Sequence, residues 1–222
     1  MNIDFHAHLL PEADHGCKDA SVCSKQLSLA KDAGIDLVVA TPHFYPQIDN
    51  LAGFLSRRSA CAQKLAEITA KNPLPKVLLG AEVQLCRGLD RMEGLEQLCI
   101  EGTKTLLLEL PPNYSVRTYE QTLDALLYGK GLTIVLAHID RYASTHVDFL
   151  LDAGCLGQLN AGSLCHLRQR RRCLNWAQNE AVVALGSDIH GLNTGYTEFL
   201  KAKKLLGSNY EPLMQRTQAL LK

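Results

Sequence analysis

Seven short apolar runs are spread along the chain, and each of them ends beside a histidine, a carboxylate or an asparagine. In a parallel α/β barrel, the carboxyl ends of all strands open into one mouth. Side chains delivered from strand after strand would meet there, whereas a solvated surface would scatter them. The pattern therefore constrains the fold and also predicts where a site lies. The polar ends are His6 and His8, His43, Glu82, Glu109, His138, Asn160, and Asp188 with His190.

The apolar runs alternate with segments of helical periodicity. The predicted strands span about 2–6, 36–41, 77–83, 105–110, 132–137, 156–160 and 182–186. The predicted helices span about 21–33, 50–71, 88–100, 117–129, 145–153, 165–179, 195–206 and 211–221, with a loop at 72–75. Several strands are almost wholly apolar, as is typical of strands buried on both faces. Seven βα units predict a single domain over residues 1–222. They favour a TIM-like barrel over the alternative, a doubly wound sheet.

Composition narrows the class of protein. The 222 residues carry 23 basic and 23 acidic side chains, so the net charge is zero, which argues against a general nucleic-acid or membrane-surface binder. We find no run of ~20 apolar residues and no secretory signal pattern, so we expect a cytoplasmic protein without membrane insertion. The eight cysteines form no C-x-x-C pair and are expected to be reduced thiols.

His6 and His8 are the strongest local signal for a metal. Residues i and i+2 of an extended chain point to the same side, so two neutral imidazoles can bind one divalent ion. The alternative is a pair of ordinary polar residues at a strand end. Asp188 and His190 repeat the spacing at the last strand, and this recurrence favours the metal site.

Glu82, Glu109, His43 and His138 also end or follow apolar strands. A buried carboxylate needs a partner, which could be a metal, an arginine or a helix terminus. Mixed histidine and carboxylate ligands suit Zn²⁺, Mn²⁺ or Fe²⁺, and the number of carboxylates indicates two or three ions. In the loop 14–16, either Asp14 or His15 completes the cluster, or the segment is only a turn.

Arg141 lies three residues after His138, where its guanidinium would clamp a phosphoryl oxygen or pair with Asp140. Cys165 and Arg171 have the C-x₅-R spacing of cysteine-dependent phosphatases, but the intervening residues contain no glycine to form an amide nest. The arginine-rich run 168–172 is predicted to be a solvated helix face, with an anionic partner as the alternative.

Taken in order, these motifs resemble the PHP (polymerase and histidinol phosphatase) domain. Within it, they resemble the bacterial manganese-dependent tyrosine-protein phosphatases of capsule and exopolysaccharide biosynthesis. The resemblance covers nearly the whole chain, and the segment Ala-His-Ile-Asp-Arg-Tyr at 137–142 is its most specific part. The other matching segments are His6-x-His8, Asp14-His15-Gly16, Thr41-Pro-His43, Gly80-Ala-Glu82, Leu108-Glu109, Gln158-Leu-Asn160 and Ser187-Asp-Ile-His190.

The resemblance implies a distorted (β/α)7 barrel with a trinuclear site. It implies Mn²⁺, with Fe²⁺, Zn²⁺ or Co²⁺ as alternatives, and it assigns catalytic roles to Arg141, His138 and Asp188. The family usually has Asp-Asp-Gly where this chain has Asp14-His15-Gly16, so the loop ligand stays open. By position, one ion would be held by His6, His8, Glu82 and Asp188, a second by Glu82, Glu109 and His138, and the third by His43, His190 and either Asp14 or His15.

The implied activity is hydrolysis of phosphotyrosine in proteins, with a bacterial tyrosine kinase as the expected substrate and no nucleic-acid partner. Phe44, Tyr45 or Tyr196 would stack on the substrate ring. The arginine that follows the last Asp-x-His in the family is absent here. Two alternatives stay open: a histidinol-phosphate-type or other small-molecule phosphoesterase, and a non-catalytic module stabilised by metal.

Overall fold

The computed structural model describes residues 1–70, 73–112 and 114–222. Parallel strands alternate with helices along the described chain. The last residue of the predicted helix 50–71 and the first of the predicted loop 72–75 lie outside the described residues. The strands are β1 (Ile3–Ala7), β2 (Leu37–Ala40), β3 (His43–Phe44), β4 (Lys76–Leu79), β5 (Glu82–Gln84), β6 (Thr105–Glu109), β7 (Thr133–Leu136), β8 (Leu156–Asn160) and β9 (Val182–Gly186). The helices are α1 (Ala20–Asp32), α2 (Leu51–Thr69), α3 (Val116–Asp124), α4 (Ser144–Asp152), α5 (Ala161–Cys165), α6 (Leu167–Ala177), α7 (Gly195–Leu206) and α8 (Tyr210–Leu220).

Two of the predicted strands are split. The segment 36–41 becomes β2 followed by β3, and 77–83 becomes β4 followed by β5. Pro42 interrupts the first because it has no N–H to donate to a ladder. The pairing continues across both breaks, since Gly80 N donates to Ala40 O (2.8 Å) and Glu82 N donates to Pro42 O (3.1 Å). The chain therefore keeps the seven predicted strand units.

The strands form two sheets, ordered β1-β2-β4 and β3-β5-β6-β7-β8-β9. β1 is joined to the segment that follows β9 by an isolated bridge between Ala7 and Ile189 and by a 2.8 Å hydrogen bond from Asp188 N to His6 O. Among the residues that the structure describes, no continuous ladder closes the ring, and this is its distortion. The predicted TIM-like α/β fold is confirmed in this distorted form.

β1 shows how the sheet places polar groups inside the ring. Its apolar residues alternate with Asp4 and His6, and the whole strand is buried. Asp4 accepts hydrogen bonds from Ser187 N (2.8 Å) and Ser187 Oγ (2.6 Å), which tie β1 to the segment after β9. Burial raises the pKa of Asp4 to about 6, against the effect of these hydrogen bonds.

The helix predicted at 88–100 is wrong. Two short 3₁₀ turns, Leu89–Arg91 and Leu95–Leu98, stand there instead, each preceded by a glycine in the left-handed region (Gly88, φ 77°; Gly94, φ 74°). Left-handed backbone at these positions breaks a continuous helix.

Within the described residues, no helix has the length and apolar character needed to cross a membrane.

Candidate metal centre

The structure brings the ten candidate ligands to one end of the barrel. Four of them are strand residues, and the others follow a strand within eight residues. Each side chain lies in or after the final part of a strand unit, as the sequence predicts, with His43 and Glu82 at the start of the short second strands β3 and β5. The strand residues are His6, His43, Glu82 and Glu109, and the loop residues are His8, Asp14, His15, His138, Asp188 and His190.

Seven of the ten candidates form three groups, and within each group the ligand atoms lie no more than 4.8 Å apart; Asp14, His15 and His138 belong to none of them. His138 adjoins the second group, because its Nε2 lies 2.8 Å from Glu82 Oε1 and 3.7 Å from Glu109 Oε1. His8 belongs to two groups, whereas the resemblance assigns it to one ion. The groups are His6, His8 and Asp188; His43, Glu82 and Glu109; and His8, His43 and His190.

Glu82 lies at the centre of the cluster. Its Oε2 is 3.3 Å from His6 Nε2, 3.2 Å from His8 Nε2 and 3.0 Å from His43 Nδ1. Glu82 Oε2 and His43 Nδ1 are buried, yet neither has a hydrogen-bond partner within the described parts of the chain. Buried polar atoms without partners are costly, so this arrangement fits a cation between them. The mixed donor set is one that Mn²⁺, Fe²⁺ or Zn²⁺ accepts.

Two carboxylates of the cluster, those of Glu82 and Asp188, are held in their charged form. Burial alone would raise the pKa of Glu82, but the neighbouring charge of His6 holds it well below its ordinary value. Burial likewise opposes ionisation of Asp188, yet His6 and Arg141 lower its pKa to about 2. Glu109 differs, since burial and the charge of Glu82 raise its pKa. The carboxylates of Glu82 and Asp188 are thus ionised and suited to bind cations.

The loop after β1 separates the roles of Asp14 and His15. Asp14 Oδ2 lies 2.7 Å from His8 Nδ1 and accepts from His43 N at 3.0 Å, while its Oδ1 accepts from Gly16 N at 2.8 Å. Both carboxylate oxygens are therefore engaged in holding protein groups. The ring of His15 instead stacks 5.0 Å from that of His43, inside the histidine cluster.

Two of the candidate ligands have strained backbones. His138 (φ 35°) and Asp188 (φ 50°) lie in the left-handed region that non-glycine residues rarely adopt. Each stands two residues beyond the end of a strand, β7 or β9. Strain of this kind costs about 1–3 kcal/mol and concentrates at functional sites. No sequence pattern signals it.

Gln158 and Tyr142 are site residues to which sequence reasoning assigned no role. The buried Gln158 Oε1 accepts from His138 N (2.7 Å) and lies 3.1 Å from His6 Nδ1. Tyr142 O–H lies 3.2 Å from His138 Nδ1 and accepts from Leu110 N at 3.1 Å. Such partners fix the orientation of a ligating imidazole. Both residues fall inside quoted motif segments, which is the only signal that could have found them.

Arg141 faces the cluster and does not pair with Asp140. Its Nη2 donates to Asp188 Oδ2, and half of its side chain (52%) is exposed. It lines a polar cavity of about 300 Å³ together with Asn160, His166 and Asp188. An anionic group in this cavity would contact the guanidinium and lie beside the candidate ligands.

Asp140 is buried and serves the fold. It accepts from Asn160 N (2.8 Å) and Ser163 Oγ (2.6 Å), at the start of α5. We expect Asp140→Ala to lower the free energy of unfolding by about 2 kcal/mol, because the buried Asn160 N–H and the half-buried Ser163 hydroxyl lose their acceptor. Urea denaturation followed by circular dichroism measures this. Asp152→Ala, at an exposed position on α4, is the matched control and should stay within about 0.5 kcal/mol of the wild type. Equal stability of the two variants would contradict the role of Asp140.

Cys165 and the arginine-rich run 168–172 have structural environments rather than catalytic ones. Burial raises the pKa of the Cys165 thiol, whose Sγ donates to Glu198 O (3.5 Å), so it is no nucleophile. In the basic run, Arg168 and Arg171 are exposed as predicted. The prediction of a wholly solvated face is wrong for Arg170 and Arg172, which donate to backbone carbonyls.

Of the three aromatic residues expected to stack on a substrate ring, only Tyr45 is accessible. Phe44 is fully buried against Phe54, and Tyr196 is buried beneath the segment after β9, so neither reaches a substrate. Tyr45 is half-buried and stacks on the ring of His43, with 5.1 Å between centroids.

The model of a family described as capsular polysaccharide synthesis, CpsB/CapC, matches residues 2–217. The chain belongs to this CpsB/CapC family. It is 26% identical over 202 residues to the tyrosine-protein phosphatase YwqE of Bacillus subtilis, covering 86% of this chain and 78% of YwqE. It is 23% identical over 228 residues to the tyrosine-protein phosphatase CpsB of Streptococcus pneumoniae, covering 94% and 90%.

Solved structures agree on the fold. A chain from the crystal structures of YwqE and CpsB, described as unique metal-dependent tyrosine phosphatases, superposes with a TM-score of 0.81 at 24% identity. The match covers 99% of this chain and 94% of the other. The histidinol phosphate phosphatase of Lactococcus lactis, complexed with zinc, L-histidinol and phosphate, gives a TM-score of 0.59 at 12% identity, covering 94% and 93%. At these identities the structural likeness establishes the fold of this CpsB/CapC member.

Proposed function

We propose that the chain is a metal-dependent phosphatase that hydrolyses phosphotyrosine in proteins. It would thereby regulate capsule or exopolysaccharide synthesis through a bacterial tyrosine kinase. The observation that carries the proposal is the convergence of three ligand groups with Arg141 at one barrel mouth, two of them mixed histidine and carboxylate and one made of three histidines. Membership of the CpsB/CapC family and two relatives named tyrosine-protein phosphatases support the substrate class.

Two or three divalent ions, Mn²⁺ first, would be held by the three groups of ligand atoms, with His138 beside the second. When bound, such ions supply Lewis acidity, which activates water and neutralises charge on phosphoryl oxygens. Asp14, Gln158 and Tyr142 hold the imidazoles of His8, His6 and His138 in place.

Arg141 would bind the phosphoryl oxygens through its planar fork of N–H donors. A tyrosyl leaving group has a pKa near ~10, so it needs less proton assistance than an alkyl alcohol. Tyr45 would contact the substrate ring, because it is half-buried whereas the other two candidate aromatic residues are buried.

The setting of this activity is proposed from the rest of the chain. A single hydrophobic core supports one domain over residues 1–222. The eight cysteines are free thiols, which favours action in the reducing cytoplasm. The zero net charge favours a protein substrate over nucleic acid.

Phosphate release tests the proposal. Protein loaded with Mn²⁺ should release phosphate from a phosphotyrosyl peptide, lose this activity on chelation and regain it when the ion is restored. Faster release from histidinol phosphate than from the peptide would favour the small-molecule alternative. If no phosphate is released with Mn²⁺, Fe²⁺, Zn²⁺ or Co²⁺, the result would favour the alternative of a non-catalytic module stabilised by metal.

The same site distinguishes the two loop residues. We propose that His15 ligates the third ion and that Asp14 positions His8. His15→Ala should therefore lower the bound metal by one ion per chain. Asp14→Asn should keep the number of ions but weaken their affinity about tenfold, as loss of a partner that orients a ligand does. Metal content by mass spectrometry and titration with Mn²⁺ measure both. The reverse pattern would exchange the two roles.

A further inference from the structure

A second cleft of about 470 Å³ lies between the turn that follows β5 and helix α3. One wall is the turn after β5, with Arg87, Gly88, Asp90 and Arg91. The other is the first half of α3, residues 117–122. Gly88 N donates to Thr122 Oγ1 (3.3 Å) and joins the two walls. The cleft is thus a built feature between two elements of the fold.

The cleft carries an excess of positive charge. Three exposed guanidinium groups, of Arg87, Arg91 and Arg117, line it with a single carboxylate, that of Asp90. In residues 1–70, 73–112 and 114–222, the ion pairs of lysine and arginine are Arg57–Asp49, Lys64–Glu12 and Arg141–Asp188, so none lies in this cleft. Unpaired guanidinium groups in a concavity attract anions. The whole chain is neutral, so this excess of positive charge is a local feature of the surface.

The position of the cleft relates it to the metal centre. β5 begins with the candidate ligand Glu82 and ends at Gln84, which pairs with Glu109 of β6. Arg87 follows three residues later, and α3 follows β6. Since an extended chain spans about 3.3–3.6 Å per residue, the Cα of Arg87 lies within about 11 Å of that of Gln84. Both walls follow the carboxyl ends of strands, β5 and β6, so the cleft lies at the end of the barrel that carries the candidate ligands.

We propose that this cleft binds acidic groups, either carboxylates or a second phosphate, that lie roughly three to six residues from the phosphotyrosine of a protein substrate. The proposal rests on the proposed function, whose phosphoryl site it extends. Guanidinium forks bind both kinds of anion bidentately. Complementary charge at the edge of a site steers the correct partner and raises its association rate. The cleft would thus select acidic phosphotyrosyl segments over neutral ones.

Peptide kinetics test this selection. The substrates are p-nitrophenyl phosphate and phosphotyrosyl peptides with a neutral flank, an Asp/Glu flank or a second phosphotyrosine, placed on either side. We compare the wild type with Arg87→Gln/Arg91→Gln/Arg117→Gln. The control, Lys31→Gln/Lys104→Gln/Lys130→Gln, removes three exposed charges near the amino ends of strands. The cleft variant should lose about tenfold in kcat/KM for an acidic peptide, through KM. It should keep the wild-type rate on p-nitrophenyl phosphate, and the control should match the wild type.

Two results would overturn the proposal: unchanged kcat/KM of the cleft variant on every acidic peptide, or an equal loss on p-nitrophenyl phosphate. If the cleft variant loses kcat/KM on the peptide with the Asp/Glu flank, the cleft binds carboxylates. If it loses kcat/KM on the peptide with a second phosphotyrosine, the cleft binds phosphate. Binding is also measured by fluorescence anisotropy, with a labelled acidic peptide that carries a phosphonate in place of the phosphotyrosine ester. Absence of phosphate release from any substrate refutes the proposed function. Equal affinity of the wild type and the cleft variant for this peptide refutes the proposed binding of acidic groups in the cleft.

Discussion

Glu82→Gln is expected to lower kcat/KM for a phosphotyrosyl peptide by about a thousandfold. The carboxylate lies among His6, His8, His43 and His138, at distances of 2.8–3.3 Å from their ring nitrogens. Glutamine keeps the shape of the side chain but removes the negative charge, and its amide N–H₂ would face atoms that must donate electron pairs to a cation. Bound metal should fall together with activity.

The control for this variant is Glu67→Gln, which changes an exposed glutamate on α2. It should match the wild type in activity and metal content. Thermal unfolding followed by circular dichroism establishes that the Glu82 variant is folded. A folded Glu82→Gln protein with wild-type metal content and activity would show that Glu82 is not a ligand.

Arg141→Ala is expected to lower kcat/KM about a hundredfold while leaving the metal content unchanged. The guanidinium is half exposed and its Nη2 donates to Asp188, so it stands between the cluster and the polar cavity. Arg141→Lys keeps the charge but not the fork, and should lose about tenfold.

Steady-state kinetics on a phosphotyrosyl peptide measure both losses. Arg171→Ala is the matched control, because it removes an exposed arginine of α6. If Arg141→Ala kept full activity, phosphate would be held by other groups. A parallel loss of metal would instead make Arg141 a support for Asp188.

The seven-unit fold was predictable because its strands are buried on both faces and read as apolar runs. The polar residues at the strand ends had to share one mouth once the strands were parallel. Local breaks were harder to read. The split between β2 and β3 depends on Pro42, and the failed helix at 88–100 depends on the left-handed Gly88 and Gly94. These are single residues inside otherwise regular patterns.

Contacts between distant segments were beyond sequence reasoning. Gln158 meets His6, 152 residues away, only in the folded barrel. Tyr142 is four residues from His138, but their contact follows a left-handed backbone at His138 that the sequence does not signal. Asp14 and His15 are neighbours in the sequence, so their different environments appear only in three dimensions. The ligand candidates followed from local pattern, whereas the residues that position them did not.

An anomalous diffraction experiment tests the central claim most directly. Crystals grown with Mn²⁺ and phosphate, measured at the manganese absorption edge, should show two or three peaks among the histidine and carboxylate groups at the barrel mouth. Each peak should lie about 2.0–2.3 Å from its ligand atoms, with phosphate in contact with Arg141. Absence of peaks at the mouth, or peaks only elsewhere on the chain, would contradict the account.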